Sequence, residues 1–590
     1  MRGRNERIGR IAVEAADART AALTETTLPF DLIVVGGGIN GCGIAWDAAL
    51  RGLRVLLLEK EDYGWATSAW NSRLIHGGLK YLEKYDVPLV RESLREREWM
   101  LHAAPHLVRP LRFVLPFYDR NAHPAWMLRL GLATYDALSW DKSTPWHRIL
   151  GRTQVSSLIP GLNEDGLQGA GAYYDGQVDH AERLSVEVAL AARTAGAVVV
   201  NHARADRLVV EAGAVTGVGF TDLVSGRAHL ARGRKVVNAA GPWVDEVLAP
   251  TRAQAHTPLM GGTKGTHLVV DPFPGAPVGC AMYYEAMTDA RPMMVIPWLG
   301  RYIVGATDVR FQGDLDRASI DDDELTYILR ETNLVLPSAN LTAEDVLWSY
   351  TGVRPLPYQE SGSTGDITRR HVIHDHGRDG SDAVTGLYSV IGGKLTTFRS
   401  LAEHVNDTVL GRQAVRGRRG RGRRPATTRH SRLPGARTAD LATFEREFRA
   451  SSTLPPDVAG RLVRLYGSRA VEVEALALRE PALACPVGDV PGLTAAEIVL
   501  ALRAEGAVTL TDVVARRIMT GVDGDLGRGS LDAVARVVAA EAGWSDAETA
   551  EQIASYLAYI EKFRPAPAGT AASAVAGPTV ATGPGRRRSA

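Results

Sequence analysis

The chain has 590 residues, 45% of them hydrophobic, and a formal charge of only +1. It is long enough to fill two or three cores, and its charge balance gives no overall field drawing it toward nucleic acid. Its three cysteines, Cys42, Cys280 and Cys485, lie too far apart for a disulfide scaffold or a CxxC metal site; a reducing compartment and no metal are expected.

No apolar run approaches the roughly 18 to 20 residues that span a bilayer. Residues 1–29 mix arginines with acids and lack the apolar stretch of a signal peptide, so a flexible leader is expected. The stretch "DLIVVGGGINGCGIAWDAALRGLRVLLLEK" follows from Asp31. Leu32 to Val35 read as a short apolar strand, and Gly36, Gly38 and Gly41 give GxGxxG opening a helix that runs to about Leu50. Val55 to Leu58 form a second strand, ended by Glu59. The first glycine permits a tight turn, the second a close approach to a pyrophosphate, and the third close helix–strand packing. The helix N-terminus then offers N–H groups and a positive dipole end to the phosphates, and Glu59 offers a carboxylate to a ribose diol. This unit is read as a dinucleotide site.

Gly64 to Met100 is rich in small hydroxyl and glycine residues where a simple NAD domain would continue into its next helix, which favours a flavin. Within it, "TSAWNSRLIHGGLKYLE" resembles the cofactor-contacting segment of the FAD-dependent glycerol-3-phosphate dehydrogenases. "NAAGPWVD" from Asn238, "GTKGTHLVV" from Gly262, "IVGATD" from Ile303, "YTGVRPL" from Tyr350, "DITRRH" from Asp366 and "SVIGGKLTTFRSLAEH" from Ser389 follow in that family's order. The resemblance covers roughly Asp31 to His404, with a plausible match in the C-terminal part. It implies an α/β protein: a Rossmann-like FAD domain of the glutathione-reductase type interleaved with a mixed β-sheet substrate domain (30–411), plus a C-terminal all-α domain. On the cofactor it places Ile39, Asn40, Lys60, Thr67 and Ser68 beside the glycines. Ser72, Leu74, His76 and Gly77 lie along the pyrophosphate and isoalloxazine, joined by Gly241, Asp308, Gly393, Lys394, Leu395 and Thr396.

Oxidising a secondary alcohol with a flavin moves a hydride to the ring while a base takes the hydroxyl proton. A phosphorylated substrate also needs fixed positive charge, and arginine's planar fork suits a phosphate best. Arg354 and Arg369 are the candidates, both in loop-like surroundings. The family resemblance adds Lys80, Tyr81, His267 and Lys394 around the substrate; Lys80 stands where many members carry arginine. His267, taken near its reference pKa of about 6.5, is the candidate proton acceptor, although Arg354 or Lys394 could instead tune the reaction electrostatically. Lys394, after two glycines and ahead of a helix expected from about Thr396, would stabilise a reduced anionic ring.

Seven arginines in Arg412 to Arg424 mark a linker, 412–437. Leu462, Leu465 and Tyr466 fall at helix spacing, and Thr494 with Glu497 and Ser545 with Glu548 are capping-box signatures. Residues 438–563 therefore read as a helical domain and 564–590 as a disordered tail. The expected activity is oxidation of sn-glycerol 3-phosphate to dihydroxyacetone phosphate, with electrons passed to a quinone. An oxygen-using oxidase is the nearest alternative, and a non-catalytic FAD-binding interaction protein the alternative of another class. A cytoplasmic protein, peripheral on the inner face of the plasma membrane, is expected, with a homodimer allowed and no nucleic-acid partner.

Overall fold

A computed structural model of the chain describes residues 19, 23, 28–82, 85–251, 257–362, 364–411 and 425–563, without the side chains of Lys80 and Asp366. Most of the expected leader, the arginine-rich stretch 412–424 and the tail 564–590 lie outside the described residues.

Leu32–Val35 and Val55–Leu58 are strands with the bounds read from the sequence, and every residue in them is buried. They pair in parallel, Leu32 opposite Val55, as uniformly apolar strands covered on both faces should. Their six-stranded sheet runs in the order Val372–Asp375, Leu387–Ile391, Val236–Asn238, Leu32–Val35, Val55–Leu58, Val198–Val200. Only the first pair in that order is antiparallel. The helix Ile39–Leu50 packs so tightly on the turn before it that a Cβ on Gly41 would lie 1.8 Å from the Gly36 carbonyl oxygen, and Gly36 itself has φ +103°. No residue other than glycine suits either position.

A second, ten-stranded mixed sheet carries the chain's other half-site. In it Thr263–Val270 pairs antiparallel with both Arg301–Gly305 and Val346–Arg354, setting Thr263 opposite Arg354 and His267 opposite both Tyr350 and Gly305. Residues 38 to 91 positions apart in sequence are thereby brought side by side in one sheet.

The C-terminal part is helical, as its periodicity requires. Leu462, Leu465 and Tyr466 are buried on the helix Pro456–Tyr466. Glu497 accepts from the Thr494 N–H at 3.4 Å, and Ser545 and Glu548 cap each other's N–H groups. A π-helical segment, Val513–Arg517, aims two arginines at the dinucleotide domain. Asp62 accepts from Arg516 Nε at 2.7 Å and from Arg517 at 2.6 and 3.0 Å, and Glu505 pairs with Arg183 and Arg469. Burial pushes the pKa values of Asp62, Asp512 and Glu505 upward, but Arg517 beside Asp62, His202 beside Asp512 and Arg183 with Arg469 beside Glu505 outweigh it and hold them low.

Arg517→Met should leave Asp62 buried and under-paired, lowering stability by about 3–5 kcal/mol. Denaturant unfolding of the flavin-loaded protein reads this out, and a loss below about 1 kcal/mol would show that the pair does not hold the domains together. An acid with a depressed folded-state pKa contributes stability that is present above its unfolded value of about 4 and lost as pH falls below it. Wild-type stability should therefore drop below pH 4, and drop less in the variant.

Candidate active site

A cavity of about 580 Å³ opens at the carboxyl ends of Leu32–Val35 and Val236–Asn238, the place where an open parallel sheet binds ligands. Gly36, Gly38, Ile39, Asn40, Glu59, Lys60, Thr67, Ser68, Gly241, Gly393, Lys394 and Leu395 all line it. Gly38 is the N-cap of the first helix; the Ile39 N–H donates to Ser68 Oγ at 2.9 Å, and the positive end of the helix dipole faces the cavity, where an anion is favoured. A Cβ on Gly38 would meet only Ser68 Oγ, at 3.1 Å; this glycine faces open cavity. Glu59 accepts from the N–H groups of Gly37 and Glu61, and burial raises its pKa.

The wall suits a dinucleotide. Asn40 Oδ1 and Trp243 Nε1 are buried with no hydrogen-bond partner among the described residues, an arrangement that a bound polar group would relieve. At the far end Gly393, with φ +103°, approaches so closely that a Cβ would stand 2.6 Å from Asn40 Nδ2.

Some residues assigned to the cofactor stand elsewhere. Gly41 lies beneath the Gly36 turn. Ser72 Oγ sits 2.8 Å from His267 Nε2. Leu74 is buried in a strand of the mixed sheet. The His76 N–H donates to Thr396 Oγ1 at 3.2 Å, and that of Gly77 to Asp175 at 3.2 Å. Asp308 does not line this cavity; its two oxygens pair with Arg354 and Arg369. The helix expected from about Thr396 begins at Phe398, after a turn in which the Thr397 N–H bonds the Lys394 carbonyl. Sequence reasoning also missed the aromatic rim, Trp65 and Trp243, with Lys60 Nζ 5.3 and 4.5 Å from their ring centres. It missed Ala203 to Asp206 as well, although the buried strand before them, Val198–Val200, signalled a further loop at the sheet's carboxyl end.

Lys394 joins this cavity to a second cluster gathered around Tyr81. Its Nζ lies 3.9 Å from the Tyr81 ring centre and 3.2 Å from Ser93 Oγ. Arg354 donates to Asp308 Oδ1 at 2.9 Å and to the Thr307 carbonyl at 3.0 Å, while Arg369 reaches Asp308 Oδ2 at 3.3 Å. Burial raises the Tyr81 phenol's pKa, and Arg369 and Arg354 pull it back. Burial would raise that of Asp308 also, but Arg354 and Arg369 hold it below the usual carboxylate range. Lys394 is pushed down to about 7, chiefly by burial and further by Arg369, against Glu92 and Asp86. The Lys80 backbone lies in the turn Leu79–Leu82; its side chain is outside the described residues.

His267 is buried, stacked on Tyr350 with ring centres 4.9 Å apart, and its Nδ1 has no partner among the described residues. Its pKa is pushed down to about 3 by burial, with Arg354 and Arg73 adding to the effect. This corrects the near-reference value assumed from sequence. The ring is neutral throughout the physiological range.

Comparison with known proteins bears on this arrangement. Residues 31–397 match the model of the FAD dependent oxidoreductase family, and 426–549 match that of the C-terminal domain of alpha-glycerophosphate oxidase. A "Glycerol-3-phosphate dehydrogenase" of Synechocystis is 43% identical over 545 residues, 90% of this chain and 96% of that protein. The chain belongs to the FAD-dependent glycerol-3-phosphate dehydrogenase family. Another member, the "Aerobic glycerol-3-phosphate dehydrogenase" of Escherichia coli, is 38% identical across 74% of this chain and 84% of its own length. The crystal structure of the glycerol-3-phosphate dehydrogenase from Bacillus halodurans complexed with FAD superposes with a TM-score of 0.74 at 28% identity, covering 93% of this chain and 98% of that one. The protein is accordingly an FAD-dependent oxidoreductase. As in the family, an α/β cofactor domain interleaved with a mixed sheet is followed by an all-helical C-terminal domain.

Proposed function

We propose that this chain oxidises sn-glycerol 3-phosphate to dihydroxyacetone phosphate at the Tyr81 cluster. The observation that carries the reading is the convergence of Arg354, Arg369 and Lys394 beside the Gly393–Leu395 end of the FAD cavity, with Asp308 the carboxylate between the two arginines. Three cations against one carboxylate leave a surplus of two positive charges, which suits a phosphate dianion. A flavin held only for structure needs no such surplus. When bound, FAD supplies the two-electron acceptor for the carbinol hydrogen. The protein's part is to clamp the phosphate with Arg354 and Arg369, keep their forks aimed through Asp308, and take the hydroxyl proton at His267. Burial chiefly, with Arg354 and Arg73 behind it, makes the neutral imidazole a weak base; a bound dianion would offset the Arg354 part and raise its basicity. Lys80 and Tyr81 complete the proposed substrate shell.

The free enzyme should lose substrate affinity as pH rises through about 7, where Lys394 releases its proton. kcat/KM is expected to fall roughly tenfold per pH unit above that point, and Lys394→Arg, whose charge does not titrate, should move the fall beyond pH 9. An unaltered alkaline limb in the variant would remove Lys394 from the phosphate site.

A membrane quinone is the proposed terminal acceptor. Support for a lipid-facing surface comes from the helix Ala125–Ala137 and the segment after it, where Trp126, Trp140 and Trp146 are 66%, 72% and 57% exposed and Arg129 is exposed among them. Tryptophans with basic residues favour the interface of an anionic leaflet. No helix of the described residues is long and apolar enough to cross a membrane, so the proposed attachment is peripheral, on the inner face of the plasma membrane. Oxygen is the second reading, favoured by the match of 426–549 to a domain named for an oxidase. Turnover with glycerol 3-phosphate in air, with peroxide measured, against turnover with a soluble quinone and a dye separates the two: a dehydrogenase gives dye reduction and little peroxide.

A further inference from the structure

The edge strand Val372–Asp375 and the turn that follows it take no part in the chemistry above, yet they gather three metal-binding side chains. His374 lies on the strand and His376 opens the turn that follows it, and their ring centres are 4.5 Å apart. The chain then turns through His376–Arg378 and brings Asp379 back between them. Its Oδ1 lies 2.9 Å from His374 Nε2 and its Oδ2 2.9 Å from His376 Nδ1. One ligand atom from each of the three lies within 4.8 Å of the other two.

The setting favours a built site over a chance cluster. His376 is only 3% exposed, and its outward nitrogen, Nε2, lies 2.8 Å from Ser389 Oγ on the neighbouring strand Leu387–Ile391. A ligating histidine characteristically has its other ring nitrogen fixed in this way by a second partner. Two imidazole nitrogens and one carboxylate oxygen match the donor preference of zinc, and the partly exposed side chains of His374 and Asp379 leave access for water as a fourth ligand. The present 2.9 Å separations are those of shared protons. Donors placed about 2.0–2.1 Å from a common cation stand a few tenths of an ångström further apart, a change that the exposed turn can absorb.

We propose that His374, His376 and Asp379 bind a divalent cation of the zinc class, which staples the edge strand of the flavin sheet to the turn beyond it. The site is independent of the catalytic assignment.

The test uses the flavin-loaded full chain with any polyhistidine tag removed, dialysed against a chelator and titrated with zinc in competition with a chromophoric chelator. One saturable equivalent is expected, with affinity at least tenfold weaker in Asp379→Asn and in His374→Ala. It should be unchanged in His404→Ala, which removes the nearby His371–His404 pair, 2.8 Å apart. Zinc-edge X-ray absorption on the loaded wild type should show two imidazole ligands, so the proposal stays testable even if a variant misfolds. Equal affinity in wild type and both site variants, loss in His404→Ala alone, or no saturable equivalent would overturn it.

Discussion

Gly38→Val is expected to give a folded, colourless protein with no measurable dehydrogenase activity. The structure separates this glycine from its neighbours in the motif. A Cβ at Gly41 would drive into the Gly36 carbonyl oxygen, and one at Gly36 would need φ +103° while meeting the Ala239 carbonyl oxygen at 2.6 Å; substitutions there should damage the fold itself. At Gly38 the backbone is extended, with φ −66° and ψ 174°, and a side chain meets only Ser68 Oγ before it enters the cavity. Valine would occupy the space above the helix N-terminus where the pyrophosphate must approach. Flavin content after denaturation, beside a thermal melt of the apoprotein, distinguishes the cases. Full flavin content in Gly38→Val would contradict the cofactor placement.

The second large effect is expected of Arg354→Ala. Arg354 makes three hydrogen bonds through its fork, to Thr263 Oγ1, Asp308 Oδ1 and the Thr307 carbonyl, and the guanidinium lies so close over Gly265 that a Cβ there would be 2.1 Å from Nη2. The glycine in "GTKG" is required by this packing. Removing the arginine deletes a charge-assisted phosphate bond and leaves Asp308 facing the substrate with Arg369 alone. The loss in kcat/KM should be about 3 kcal/mol, a factor of roughly 100, with flavin content unchanged. Lysine should not rescue it, since a point charge cannot span both Asp308 and a phosphate oxygen. Arg369→Ala should cost less, about 1.5–3 kcal/mol and mainly in KM, because its bond to Asp308 is longer. Wild-type kcat/KM in Arg354→Ala would remove this residue from the site.

The dinucleotide unit was legible because everything that defines it is local. Strand, glycines, helix and Glu59 lie within one short run, and their chemistry follows from spacing. The capping boxes at Thr494 and Ser545 were readable for the same reason. The pairing of Asp308 with Arg354 could not be read from the sequence because it is set by strand pairing: the antiparallel register of Thr263–Val270 with its neighbouring strands brings the two together, and no spacing in the sequence encodes that meeting. The low pKa of His267 was equally invisible, since it arises from burial and from arginines distant in sequence. The docking of Arg516 and Arg517 onto Asp62 joins residues about 450 positions apart, where periodicity carries no information. Local chemistry could be read from the chain; the electrostatics required the fold.

Anaerobic addition of sn-glycerol 3-phosphate to the flavin-loaded protein examines the central claim most directly. The cationic cluster beside the cavity should admit the phosphorylated alcohol and bleach the flavin's visible absorbance within the mixing time of a stopped-flow instrument, while glycerol at the same concentration leaves the colour intact. A flavin that stays yellow with the phosphate ester, or that bleaches equally with glycerol, would contradict the assignment of Arg354, Arg369 and Lys394 to a phosphate site.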